Sequence, residues 1–392
     1  MRITAIRCVD VDITRHGGET AADDGRVRGP AWTTQRWAGP MDRYPAAVFG
    51  SAAPPASKHL FGVVVETEDG TSGFGLGHQG RAAAALIEDV LAPTLVGQNV
   101  MAHEALYDMA VRRCAAFSAG GLASYAISAI DVAVWDAKGR ILGRPVYELI
   151  GGPARSHLSL YATGADVAWY RELGFGAIKL PRPFGPADGL AGLRATVAFV
   201  AGAREMAGED VELMLDCWQT FDVDYTVRLA EMLRPYRLRW IEEALPPDAL
   251  DAHRELRRRV PWQSFATGEH WYGTTVFQHA AAHHLVDVFQ PDVNWVGGLT
   301  AVIKIAAIAE AAGIDLILHA GALTPYGQHA SLALPAVPMV EHFVATPPGL
   351  LPIHGPWSLP GQGIADGSSM VVSDAPGFGI DVSPDTWRPF AF

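Results

Sequence analysis

Cysteine is scarce in this chain. Of 392 residues three are cysteine, Cys8, Cys114 and Cys217, and no two are close in sequence. That excludes a disulfide framework and a cysteine zinc knuckle, and makes a reducing cytoplasm the expected compartment. Positive charge is also short: Lys and Arg number 30 against 42 Asp and Glu, a net charge of −12, with no dense basic stripe. A nucleic-acid backbone is therefore not an expected partner. No apolar run is long enough to span a bilayer, so no membrane partner is expected either. The opening MRITAIRCVDVDI reads as a strand rather than a secretion signal. The 41 Gly and 27 Pro are dispersed, without collagen-like period or low-complexity tract.

What remains is 49% hydrophobic and 18% charged, the balance of a well-packed soluble enzyme. The length predicts two domains. Residues 15–57 read as a long loop. LFGVVVETEDGTSGFGLG predicts a hairpin turning at EDGT. RAAAALIEDVLAPTLV and HEALYDMAVRRC follow as helices, then GGLASYAISAIDVAVWDAKGRILG as a long Ala-rich helix stopped by Gly143 and Pro145. After about residue 155 short apolar runs alternate with helices: LSLYAT, FGAIKL, VELMLD, RWIEEA, SFATGE, VDVFQP, DLILHA and MVEHFV. Eight such repeats predict an α/β fold with a closed (β/α)8, or TIM, barrel. The expected division is an α+β capping domain over 1–125, the barrel over 126–345, and a segment over 346–392 that returns to the cap.

From the second run onward, each ends at a polar residue: Lys179, Asp216, Glu242, Glu269, Asp292, His319 and Glu341. They are spaced by 22 to 37 residues, about one βα unit each. One location is thus visited once per unit, the C-terminal rim where such barrels keep their chemistry. Asp216, Glu242 and Glu269 would converge there, and three carboxylates cannot all stay ionised without a cation. All-oxygen ligation favours a hard ion, Mg²⁺ before Zn²⁺. A carboxylate beside an imidazole makes a general base of His319 with Asp292. Lys179 enters where a developing negative charge needs a cation.

Taken singly, each of these residues is better read as a helix cap, a turn residue or a core histidine. Seven in register on consecutive units favour the joint reading. His270 and His342 follow their acids directly, and period-2 alternation turns them the other way unless the strand has ended; His270 is the better candidate to line the mouth. Cys217 reads as packing, and Trp218 as packing or pocket wall. His283 and His284 read as structural, and His329 divides evenly between site and surface. GLGHQG fits GxGxxG, but it lies on the return arm of a hairpin and no acid follows at the required distance, so it does not read as a dinucleotide loop.

On these residues the chain resembles the enolase superfamily, mandelate racemase-like subgroup, over nearly its whole length. YAISAIDVAVWDAKGRILGRPVYELIGG is similar to the helix leading into that family's barrel. YATGA, KLP, FGPADG, MLDCW, WIEEALPP, GEH and QPDVNWVGGLT are similar to its L-rhamnonate dehydratase branch. The resemblance implies that Asp216, Glu242 and Glu269 hold Mg²⁺ and that His319, paired with Asp292, takes the proton from C2 of an acid sugar. It implies that Mg²⁺ and Lys179 stabilise the enediolate and that Glu341 hydrogen-bonds the substrate carboxylate. Loss of the 3-hydroxyl, with the protonated His319 available as the acid, would leave a 2-keto-3-deoxy acid.

The sequence departs from the family at two places. Many members have Lys-x-Lys on the second barrel strand, the second Lys being a base; here that position is Pro181, as in the L-rhamnonate dehydratase branch. The branch's cap His and Arg find no match within 31–57, where Trp32, Arg36, Trp37, Arg43 and Tyr44 stand instead. Trp37, Arg43, Tyr44 and His270 are the expected substrate-binding residues. A cytoplasmic homo-oligomeric Mg²⁺-dependent dehydratase of a small sugar acid is the expectation. Its rivals are a racemase, epimerase or cycloisomerase on the same scaffold, a nicotinamide oxidoreductase using GLGHQG, and a catalytically silent binding protein.

Overall fold

Along Ile3–Asp10, Ile6 and Cys8 are buried in one core and Val9 in another, so this strand has apolar neighbours on both faces. In the computed structural model, which describes residues 1–11, 13–15, 37–44, 60–381 and 387–390, this strand pairs antiparallel with Phe61–Thr67, and that strand pairs with Ser72–Gly77. The hairpin turns at EDGT as its turn residues require. The expected loop over 15–57 lies almost wholly outside the described residues.

The long helix Leu122–Leu142 lies on this sheet and is buried on nearly every side, which is why its sequence shows so weak a polar face. Two glycines set the approach. A Cβ at Gly73 would stand 2.1 Å from the Ala133 carbonyl oxygen, and one at Gly75 would stand 2.1 Å from that of Ala129. The helix ends at Gly143 with φ of 63°, a left-handed turn that glycine adopts without a Cβ clash. The boundary expected at 125/126 falls inside this helix. Residues on both sides of it, Ala123 and Ala137 among them, share the cap core with Ile6, Val63 and Leu91, so the fold does not divide there.

Eight short parallel strands follow, one in each predicted run: Leu158–Thr163, Ala177–Pro181, Glu212–Asp216, Ile241–Glu242, Phe265–Thr267, Val288–Phe289, Asp315–Leu316 and Val340–Phe343. The first seven pair in chain order, and the eighth pairs with the first, Val340 opposite Leu160. The seventh and eighth are joined by bonds outside a ladder, such as Ala322 N–H to the Glu341 carbonyl. Residues pointing to the axis, from Tyr161 through Met214, Trp240 and Val288 to Ile317, form a dry layer of their own. A larger core lies between the strands and the outer helices.

The C-terminal segment goes back to the cap. Arg388–Pro389 pairs antiparallel with Val9 and Asp10, and Phe390 packs on Phe61. Buried Asp136 ties the parts together: it accepts bonds from the Phe74 and Phe378 amides, both 2.9 Å, and from Arg140. Among the described residues no helix is long and apolar enough to cross a membrane.

Candidate active site

Strand register brings the rim residues to one depth. Asp216 stands opposite Glu242 on neighbouring strands, and Pro181 stands opposite Asp216. Asp216 and Glu242 are each two residues beyond a member of the dry layer, Met214 and Trp240, so they point to the same axis. Strain is concentrated here. Trp218, Gln219, Glu243 and Ala320 are non-glycine residues with φ of 40°, 61°, 44° and 52°, all in rim loops that directly follow a strand. Such conformations persist where the surrounding structure enforces them.

His319 Nδ1–H donates to Asp292 Oδ2 at 2.8 Å, and its Nε2 lies 3.7 Å from Glu269. Asp292 is fixed in turn by the Asn294 amide at 2.7 Å. Burial disfavours the imidazolium, but Glu269, the bond to Asp292 and the charge of Glu341 outweigh it and raise His319 to about 10. Glu269 is the strongest of these raising influences, so positive charge bound at Glu269 would bring His319 back toward neutrality.

Lys179 is wholly buried and pairs with Glu242 and, at 2.5 Å, with Glu341. Burial would lower its pKa; the two carboxylates overcome this and hold it well above its ordinary value. Glu341 is also bonded by the Thr163 hydroxyl at 2.6 Å and the Ala320 amide at 2.8 Å. Burial opposes its charge, but Lys179 and His319 prevail and lower it. Both Glu341 oxygens are therefore acceptors within the chain, and what Glu341 does in this geometry is orient Lys179. Glu242 has a second oxygen taken by Trp240 at 2.9 Å and Gln290 at 2.7 Å.

Glu269 lies in a group that sequence reasoning did not assemble. Ligand atoms of Glu243, Glu269 and His270 are all within 4.8 Å of one another, the one such group of three among the described residues, so Asp216, Glu242 and Glu269 do not form one. His270 Nδ1 reaches both Glu243 oxygens, at 2.9 and 3.1 Å, so Glu243 is committed to orienting that ring. Burial, with the charges of Asp216 and Glu242, raises Glu243 to about 8; burial and Glu243 raise Glu269 well above the carboxylate range. The rim thus has more buried carboxylate than its own cations neutralise. A hard divalent cation fits that donor set.

Other expected residues fall elsewhere. Trp37 lies against Phe199 on an outer helix, ring centroids 6.1 Å apart, and Tyr44 is 59% exposed. The Arg43 side chain lies outside the described ones. His342 is turned away from the mouth and buried near His354, as strand alternation requires, whereas His270 escapes alternation because its strand ends at Thr267. His329 is neither at the site nor on the surface: it is buried against Tyr147 and Phe378. Cys217 is buried packing, and Trp218 stacks under the Arg182 guanidinium at 4.9 Å. Arg182 and Trp295 went unrecognised. Arg182 is buried beside Asp216 at 3.9 Å and donates to the Ala38 carbonyl of the cap. Trp295 lies 4.8 Å from His319, ring to ring. The position of Arg182, directly after a rim strand, was the available signal.

Residues 163–386 match the enolase C-terminal domain-like family, and residues 51–151 match the mandelate racemase / muconate lactonizing enzyme N-terminal domain. The L-rhamnonate dehydratase from Gibberella zeae is 31% identical over 98% of this chain and 94% of its own, with a TM-score of 0.81. Its complex with Mg superposes with a TM-score of 0.82. A racemase from Streptomyces coelicolor A3(2), solved with bound magnesium, is 26% identical over 97% of each chain, with a TM-score of 0.74.

Proposed function

The chain belongs to the mandelate racemase / muconate lactonizing enzyme family of the enolase superfamily, and on that premise we propose that it is a Mg²⁺-dependent acid-sugar dehydratase. The observation that carries this reading is a one-sided proton-transfer apparatus. His319 with Asp292 stands on one side of the rim. On the other, position 181 is a buried proline and Lys179 is held between two carboxylates. A racemase needs an acid–base group on each face of the carbon; a dehydratase that uses one group twice does not.

On the family resemblance Asp216, Glu242 and Glu269 would hold the ion, with Glu243 and His270 beside them; the ion would have to draw those three together and share Glu242 with Lys179, Trp240 and Gln290. Bound there, Mg²⁺ would supply Lewis acidity toward the substrate carboxylate and so acidify the adjacent C–H. Lys179 adds a buried positive charge toward the developing enediolate. His319 takes the C2 proton at Nε2 while Asp292 holds Nδ1 and steadies the imidazolium. The same imidazolium returns that proton to the departing 3-hydroxyl, which leaves as water, and the enol relaxes to a 2-keto-3-deoxy acid. Both relatives with magnesium support the choice of ion, and the rhamnonate dehydratase supports an aldonate as substrate.

Incubating a panel of mono- and diacid sugars with protein and Mg²⁺ in D₂O tests the reading. A semicarbazide-reactive keto acid should form from at least one of them. Exchange of the C2 hydrogen without keto product would instead favour a racemase or cycloisomerase.

A further inference from the structure

The motif GLGHQG has no part in the steps above, yet it reaches the site. His78 is the first residue after the cap strand Ser72–Gly77. Its ring meets Trp295 edge-on, centroids 6.2 Å apart at 75°. Trp295 in turn lies 4.8 Å from His319 and 5.4 Å from His270. The charges of Asp292 and His319 are both felt at His78. A residue of the cap therefore belongs to the same cluster as the base dyad. The turn carrying it is anchored: Gln79 adopts a left-handed φ of 68°, and its side chain bonds Tyr125, which bonds Tyr272 of the barrel.

Two polar atoms of this cluster, His78 Nε2 and Trp295 Nε1, are buried with no hydrogen-bond partner among the described residues. Buried donors and acceptors are normally satisfied, so a pair left open beside a reactive centre points to a ligand. We propose that His78 is a specificity-determining residue, whose Nε2, with the Trp295 indole N–H, hydrogen-bonds a hydroxyl on the carbon chain of a polyhydroxy acid bound at the rim. This rests on the reading of the rim as a sugar-acid site and adds the chemistry of the substrate's far end. Burial and the nearby His319 hold the imidazole neutral, its pKa lowered to about 4 against the opposing pull of Asp292. A neutral ring can give or take a hydroxyl's hydrogen bond but cannot balance a second carboxylate. At this position the site is thus fitted to a monoacid with a hydroxyl, not to a diacid.

The experiment uses the full chain with Mg²⁺, aldonates, their singly deoxygenated analogues and the matching diacids. Sites built to bond a hydroxyl discriminate strongly against analogues lacking it. His78→Phe should raise KM for the accepted aldonate about tenfold or more, change kcat by less than about threefold, and erase much of the preference over one deoxy analogue. His78→Gln, which keeps a hydrogen-bonding tip, should recover part of that preference. Unchanged KM and unchanged preference in His78→Phe would overturn the proposal. So would an equal loss in both variants with a lowered Tm, which would make His78 structural. Calorimetric Kd values separate this from the dehydratase reading. If the wild-type protein binds polyhydroxy acids without exchange or dehydration, the dehydratase reading falls and His78 is judged by the Kd shift. If it binds none, both fall.

Discussion

Two layers inside one barrel differ by two residues along each strand and by everything in their chemistry. The lower holds Tyr161, Ala177, Met214, Trp240, Val288 and Ile317, packed and apolar. The upper holds Thr163, Lys179, Asp216, Glu242, Gln290 and His319, all but Asp216 and His319 fully buried. Strand period puts both on the axis, so the backbone cannot be what separates them. The lower layer gains from leaving water. The upper gives up hydration of several charges and recovers it only in part, through Lys179 between Glu242 and Glu341 and His319 against Asp292. A fold can carry such a layer only when a well-packed one lies directly beneath it. The rim's excess of carboxylate is the part left for a ligand to neutralise.

Substitutions can break this contrast. The largest effect is expected from His319→Asn, which keeps a polar side chain but loses the proton carrier. Steady-state kinetics should show kcat reduced about 10²- to 10⁴-fold, and Tm should fall less with Mg²⁺ than without it, because the ion replaces the positive charge that His319 supplies among Glu269, Asp292 and Glu341. Lys179→Met should damage both layers. It leaves Glu242 and Glu341 buried without their cation, and chemical denaturation should report a loss of about 3–5 kcal/mol, with activity largely gone. Ile317→Ala sits two residues below His319 and should do the reverse: about 2–4 kcal/mol less stable, with kcat preserved within about tenfold at temperatures where the protein stays folded.

A smaller effect sharpens the contrast through pH. Burial, with the charges of Asp216 and Glu242, pushes Glu243 up to about 8 in the folded protein from its ordinary 4.5. The folded state therefore holds more protons than the unfolded one between those values, and stability falls as pH rises across that interval, the loss being complete just above pH 8. Thermal melts from pH 6.5 to 9 should show that decline without metal and little of it with Mg²⁺. His253 and His329, away from the rim, are buried and lowered to about 4 and about 3. Their contribution is complete above 6.5 and is lost on acidification, so below about pH 4.5, beneath the Glu243 window, the decline should be the same with and without Mg²⁺.

How much of this was legible in the sequence follows from the same physics. Barrel strands buried on both faces write themselves as short apolar runs, and a rim visited once per unit places Lys179, Asp216, Glu242, Glu269, Asp292, His319 and Glu341 at a readable spacing. The cap's contribution obeys no such period. His78 follows a hairpin strand, and nothing local says that its turn meets Trp295 more than two hundred residues later. Glu243 was hidden by its neighbour Glu242: a left-handed turn, not alternation, sends it toward His270. His329 looked ambiguous because its burial depends on Tyr147 and Phe378, distant in sequence on either side.

The central claim is that the charged layer is completed by one divalent cation drawn from three successive strands. Anomalous diffraction from crystals grown with Mn²⁺ in place of Mg²⁺ tests it most directly. The expected result is a single strong peak ligated by Asp216, Glu242 and Glu269. A peak held instead by Glu243, Glu269 and His270, with Asp216 and Glu242 uninvolved, or no peak at the rim, would contradict it.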